Sequence, residues 1–167
     1  MAEVNGEWLL GETAGGSRND LELFAINPQY LLSVGPPHSH PTKQDYLFPR
    51  EKKKNAVEVS VCLTQLGDPP LLHIAFLIYE TDTKDERLSA EYFLCVQPEE
   101  SSGAFINWRQ VRHRFRLSPG LYIIVPATFK PHTNGNFNLT VHAPPPISLQ
   151  PLISRYGINI YDGIYEN

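Results

Sequence analysis

The sequence predicts an all-β fold, an antiparallel β-sandwich of about eight strands. Three observations lead there: short apolar or alternating runs follow one another at close spacing, no segment sustains a helical period, and 15 prolines and 11 glycines punctuate the runs. The first strand candidates, residues 7–10, 21–26 and 30–34, are short apolar runs bounded by glycine, asparagine, aspartate or proline. In 57–64 the side chains alternate. Val57, Val59, Val61 and Leu63 share one face and Glu58, Ser60, Cys62 and Thr64 the other, the pattern of a half-buried strand. Residues 71–79 are almost continuously apolar, which places that strand centrally with both faces covered. Another apolar run spans 91–96. From 112 the layout is an alternating strand to 117, a Pro119-Gly120 turn, an apolar strand from 121 that stops at Pro126, a hairpin loop, and an alternating strand over 136–142. The expected core is Val57, Val59, Val61, Phe76, Tyr122, Ile124, Phe137, Leu139 and Val141.

A chain of 167 residues is long enough to bury about 70% of the surface its unfolded form exposes. Its 41% hydrophobic and 19% charged residues are those of a folded globular chain. Residues 1–145 read as one domain, monomeric in isolation. Pro144-Pro145-Pro146 ends the last ladder, because proline cannot donate to it. The tail 146–167 either adds one more strand or stays loose. Residues 35–55, polar with four prolines and a basic end, read as a long connecting loop. A net charge of -4 offers no footprint for nucleic acid. The longest apolar runs fall short of the roughly 20 residues of a membrane span, and the amino terminus lacks a secretion-signal layout. The expected location is intracellular: cytoplasmic, with the nucleus also open to it.

Two blocks carry a resemblance. The first is Val111, Arg114-Phe115, Leu117, Pro119-Gly120, Tyr122, Ile124-Val125-Pro126, Thr128-Phe129, Pro131, Gly135 and Phe137; the second is Trp8, Gly11, Thr13-Ala14-Gly15-Gly16 and Asn27-Pro28-Gln29-Tyr30. Over residues 6–143 the chain resembles the calpain-type β-sandwich, called C2-like or domain III. The resemblance implies the same sandwich and a non-catalytic part of an intracellular thiol protease, with the hydrolase motifs outside this chain. Nothing after residue 143 resembles a calcium-binding EF-hand, so the implied parent is an atypical calpain, with a calpain-7-like protein as the narrower expectation.

A papain-type protease needs a cysteine nucleophile at a helix start, with histidine and asparagine brought to it. Cys62 and Cys95 both lie in apolar strand-like runs and are expected to be buried thiols. No catalytic residue is expected in this chain. His38 and His40 form a two-imidazole pair without further metal ligands nearby, and read as solvated loop. His73 and His113 read as packed or hydrogen-bonded histidines among apolar strand neighbours. The sequon Asn138-Leu139-Thr140 lies inside an expected strand and reads as coincidence.

No cofactor is expected. Calcium is the one ion to weigh, since C2-type sandwiches bind it through acidic loops. The weak candidates are Asp82, Asp85 and Glu86, with Glu99 and Glu100 in a second loop; Lys84 and Arg87 interrupt the first cluster, and calcium needs six to eight oxygens. Conventional calpains carry a dense acidic loop after the Asn-Pro-Gln-Tyr strand. Here that interval is basic, with His38, His40, Lys43, Arg50, Lys52, Lys53 and Lys54 against Asp45 and Glu51. Arg50 with Lys52, Lys53 and Lys54 forms one basic group. Arg109, Arg112, Arg114 and Arg116 form another, the last three on one face of a strand. Both are either solvated, edge-protecting charge or a contact surface. The leading expectation is a regulatory or scaffolding domain that contacts other domains of the parent protease or a protein partner. The alternative is a module that docks on anionic phospholipid, with or without calcium.

Overall fold

The structure, a computed structural model, describes residues 1–35 and 55–153. Among the described residues it contains nine strands and two short helices. These are β1 (Ala2–Trp8), α1 (Leu21–Phe24), β2 (Gln29–Val34), β3 (Val57–Leu66), β4 (Ile74–Thr81), α2 (Ala90–Cys95), β5 (Glu100–Ser101), β6 (Gln110–Leu117), β7 (Gly120–Thr128), β8 (Gly135–His142) and β9 (Ile147–Leu152). They form two antiparallel sheets, sheet A in the order β1-β8-β3-β6 and sheet B in the order β5-β4-β7-β2-β9. The predicted sandwich is present.

Alternation decides which side of each strand meets the other sheet. Val59, Val61 and Leu63 of β3 and Phe137, Leu139 and Val141 of β8 pack inward against Phe76, Ile78, Tyr122 and Ile124 of sheet B. Every expected core residue is buried except Val57, which packs against the core from its margin. Phe137 lies at the centre, its ring 4.5 Å from Trp8 and 6.1 Å from Tyr30. Gly6 makes this approach possible, since a Cβ there would lie 2.2 Å from the Tyr30 hydroxyl.

Sheet B is apolar on its other face too, which is why residues 71–79 lack alternation. Leu31, Leu77, Tyr79, Ile123 and Val125 face a second cluster with Phe24, Leu88 and Phe93. The segments 21–26 and 91–96, expected as strands, supply that cover as helices. Each is a single turn or little more, too short to display a helical period. The Asp20 side chain caps α1 by accepting from the Leu23 amide, and Ser89 caps α2 by accepting from the Tyr92 amide.

Three further corrections concern strand ends. Of the expected strand 7–10 only Glu7 and Trp8 are strand, the end of a longer one that begins at Ala2, and Leu9-Leu10 enter a turn. β7 does not stop at Pro126 but runs through it to Thr128. The Phe129 amide donates to the His73 carbonyl, so in the alternating ladder Pro126 turns its backbone away from β4, toward β2. There β2 has not yet begun, no amide is needed, and the Pro126 carbonyl accepts from Trp8 Nε1 at 3.1 Å. From the segment assigned to the tail, residues 147–152 form β9 and pair with β2.

Connections outside the ladders are held by side chains that imitate a peptide. Asn27 accepts from Gly15 N at 3.0 Å and donates to Gly16 O at 2.8 Å. Gln29 accepts from Leu88 N at 2.7 Å and donates to Leu88 O at 3.0 Å. Gln65 does the same for Leu72, at 2.8 Å each way. Arg87 donates to the carbonyls of Ala25, Asn27 and Leu152, and Arg18 to the Tyr79 hydroxyl and the Phe93 carbonyl.

Truncation of Phe137 to alanine is expected to cost about 3–5 kcal/mol in urea unfolding, through lost burial and the cavity left behind. A change of a few tenths would show that β8 faces the other way. The core also titrates. Burial pushes the Tyr30 hydroxyl up to about 12, with Arg87 opposing and Glu7 adding. Burial raises Tyr79 as well, against the charge and hydrogen bond of Arg18. The folded state favours the neutral phenols; for Tyr30 the contribution is complete below about pH 10 and is lost as pH rises through about 12. The Tyr30→Phe variant is therefore expected to show a shallower fall in urea midpoint between about pH 9 and about pH 11 than the parent chain. An equal fall would contradict the assignment.

Candidate interaction surface

The outer face of sheet A is polar and carries no helix among the described residues. Register places Glu3, Thr140, Cys62 and Arg112 in one row across it, Asn5, Asn138, Thr64 and Gln110 in the next, and His142, Ser60 and Arg114 in another. The neutral middle is tied together. Asn138 Nδ2 donates to Glu3 Oε1 at 2.8 Å and to Asn5 Oδ1 at 3.0 Å, and Gln110 Nε2 donates to Thr64 Oγ1 at 2.9 Å. Carboxylates Glu3 and Glu7 thus sit toward the β1 edge and guanidiniums at the β6 edge.

Arg112, Arg114 and Arg116 are all exposed on β6. Arg114 Nε lies 3.3 Å from Glu58 Oε1, a surface pair of the kind that contributes little to stability. Arg116 Nη2 donates to the Ala56 carbonyl at 2.6 Å. Among the described residues Arg112 has no ion-pair partner. Arg50, Lys52, Lys53 and Lys54 lie outside the described residues, as do His38 and His40.

Asp82, Asp85 and Glu86 are exposed in the connection between β4 and α2. Among the described residues no three His, Cys, Asp or Glu side chains come together as a metal group. Acidic charge gathers instead around one phenol. Tyr92 is raised by burial first, then by Glu80, Asp82 and Glu99. Cys62 is buried beneath the outer face, with the Thr64 hydroxyl 3.8 Å from its sulfur. Cys95, expected to be buried in a strand, is exposed at the end of α2. His73 and His113, expected to be packed, are also exposed. His73 precedes β4, and His113 lies on edge strand β6, where its ring sits 5.7 Å from Phe115.

Sequence reasoning missed the roles of Arg18 and Arg87. Arg87 reads in the sequence as an interruption of an acidic cluster, and nothing local marks it as a half-buried donor to three carbonyls. The outward row on β6 was legible, because period two alone puts its arginines together.

The family model for calpain large subunit, domain III, matches residues 4–142. Human calpain-9 is 37% identical over 136 residues, covering 81% of this chain and 19% of that protein. The rat (Rattus norvegicus) calpain-2 catalytic subunit is 32% identical over 172 residues, covering 96% of this chain and 23% of that protein. The chain thus spans about a fifth of the length of the curated relatives it matches. A solved structure, the pre-peptidase C-terminal domain of collagenase from Bacillus anthracis, covers 85% of this chain and 91% of that one with a TM-score of 0.45 and 9% identity. The narrower expectation of a calpain-7-like parent receives no support from these matches. The match over residues 4–142, with relatives 32–37% identical over most of the chain, places it in the calpain large subunit, domain III, family.

Proposed function

We propose that this chain is a non-catalytic contact domain of an intracellular, cytoplasmic calpain-type cysteine protease. It holds neighbouring domains of the parent, or a protein partner, through charge at one edge of its sandwich, while residues elsewhere in the parent cleave the peptide bond. The observation that carries this reading is the row of exposed arginines Arg112, Arg114 and Arg116 on an edge strand of a domain III sandwich. Among the described residues no helix is long and apolar enough to cross a membrane.

The lipid alternative uses the same arginines, each basic residue near an anionic surface being worth about 1 kcal/mol. Glu3 and Glu7 on the same face weigh against it, since a flat bilayer would meet both signs of charge. A protein partner can match the pattern side chain by side chain.

In the protease that carries this chain, replacing Arg112, Arg114 and Arg116 together with glutamate is expected to change peptidase kcat/KM several-fold at low salt and to flatten its salt dependence. Unfolding of the chain itself should move by less than about 1 kcal/mol. Unchanged kinetics and salt profile would return these arginines to solvated edge charge. Vesicles of phosphatidylserine and phosphatidylcholine, with and without calcium, should leave the chain in the supernatant at physiological salt. Co-sedimentation lost in the triple variant would transfer the surface to the lipid reading.

A further inference from the structure

The phase of the β3–β6 ladder determines what the β6 edge offers. Gln65 N donates to the Arg109 carbonyl at 2.9 Å, directly before the register pair Thr64 with Gln110. In an antiparallel pair, opposed residues alternate between exchanging both hydrogen bonds and exchanging none. Val111, His113, Phe115 and Leu117 therefore turn their amides and carbonyls toward β3. Gln110, Arg112, Arg114 and Arg116 turn theirs out of the sheet. The residues with outward guanidiniums are thus also the residues with outward backbone groups, along an uninterrupted ladder from Leu117 to Gln110.

Sheet B shows what a closed edge looks like in this molecule. On β4 most of the corresponding groups are taken: Ile74 pairs with Ile106, Phe76 bonds both the amide and the hydroxyl of Ser102, the Ile78 carbonyl accepts from Glu99 N, and the Glu80 carbonyl from the Tyr92 hydroxyl. Among the described residues β6 has β3 as its single neighbour. Charge on an edge strand discourages pairing with a like strand. Two β6 strands brought together would set arginine opposite arginine, which is destabilising, whereas an acidic strand would meet a complementary row. The β1 edge, with Glu3 and Glu7, would repel the same strand.

We propose that the β6 edge accepts an extended acidic peptide segment as a fifth strand of sheet A. Its carboxylates lie opposite Arg112, Arg114 and Arg116, and the residues between them are apolar and extend the core beside Val111 and Phe115. Main-chain bonds supply the affinity and the arginines select the sequence. This inference rests on the arginine face being a contact surface and names the partner and mode of that same surface.

The test titrates the full chain with a peptide of alternating valine and glutamate, and with a control of equal charge in which proline replaces the valines. Proline cannot donate to a ladder. The alternating peptide is expected to bind at least about tenfold more tightly than the control, and binding should fall by a similar factor in the triple glutamate variant. On binding, amide exchange at Arg112, Arg114 and Arg116 should slow at least about tenfold, with Val111 and Phe115, already paired to β3, unchanged. Equal binding of both peptides, or binding without slowing of those three amides, would overturn strand addition while leaving a face-on acidic contact in place. Failure of both peptides to bind would overturn the inference outright, and the protease kinetics of the triple variant would separately decide whether the surface makes contacts at all.

Discussion

The constraint on which the rest of the structure depends is that backbone groups outside the ladders must be hydrogen-bonded once they are covered. An orphaned buried amide or carbonyl costs about 1–3 kcal/mol. The segments that cross sheet B, before β2 and between β4 and β5, contain only two single-turn helices, so ladders cannot satisfy them. Two buried carboxamides do so, Asn27 and Gln29, each offering an acceptor and a donor to a loop backbone, and Gln65 does the same for the β3–β4 connection at Leu72. Arg87 then gathers three carbonyls without a carboxylate partner among the described residues, and burial lowers its pKa. It remains a cation because a guanidinium is so basic. Several of the residues that carried the family resemblance, Trp8, Gly15, Gly16, Asn27 and Gln29, are the ones that make these ties. At Gly15 a Cβ would lie 2.0 Å from the Leu23 carbonyl, so the loop docks on α1 only with glycine there.

This arrangement makes the two sheets unequal. Sheet B is covered on both faces and along its β4 edge, and its other edge is β9, paired with β2. Sheet A has its inner face in the core, while its outer face is polar, graded from carboxylate to guanidinium, and among the described residues its β6 edge has no further strand.

Where period two governed a strand, the sequence was legible. Val57–Leu66 and Gly135–His142 declared their inner faces, and the same alternation brought Arg112, Arg114 and Arg116 together. Legibility failed where the cover of sheet B lay in segments too short for any period. Leu21–Phe24 and Ala90–Cys95 look like apolar strands, and only the capping side chains Asp20 and Ser89 distinguish them. His113 has the parity of a core residue, yet it is exposed because β6 is an edge, and edge position depends on strand order rather than on local pattern. The roles of Gln29 and Arg87 depend on partners about 60 residues away in sequence, which no local pattern encodes.

Replacement of Gln29 by methionine, similar in volume but without the amide, tests the central claim most directly. If loop backbone groups depend on the carboxamides, urea unfolding should show a loss of about 2–4 kcal/mol, and the Leu88 amide should exchange through a local opening well below the global unfolding free energy. A midpoint within a few tenths of a kcal/mol of the parent, with Leu88 equally protected, would show that the cover over sheet B is held by apolar packing alone.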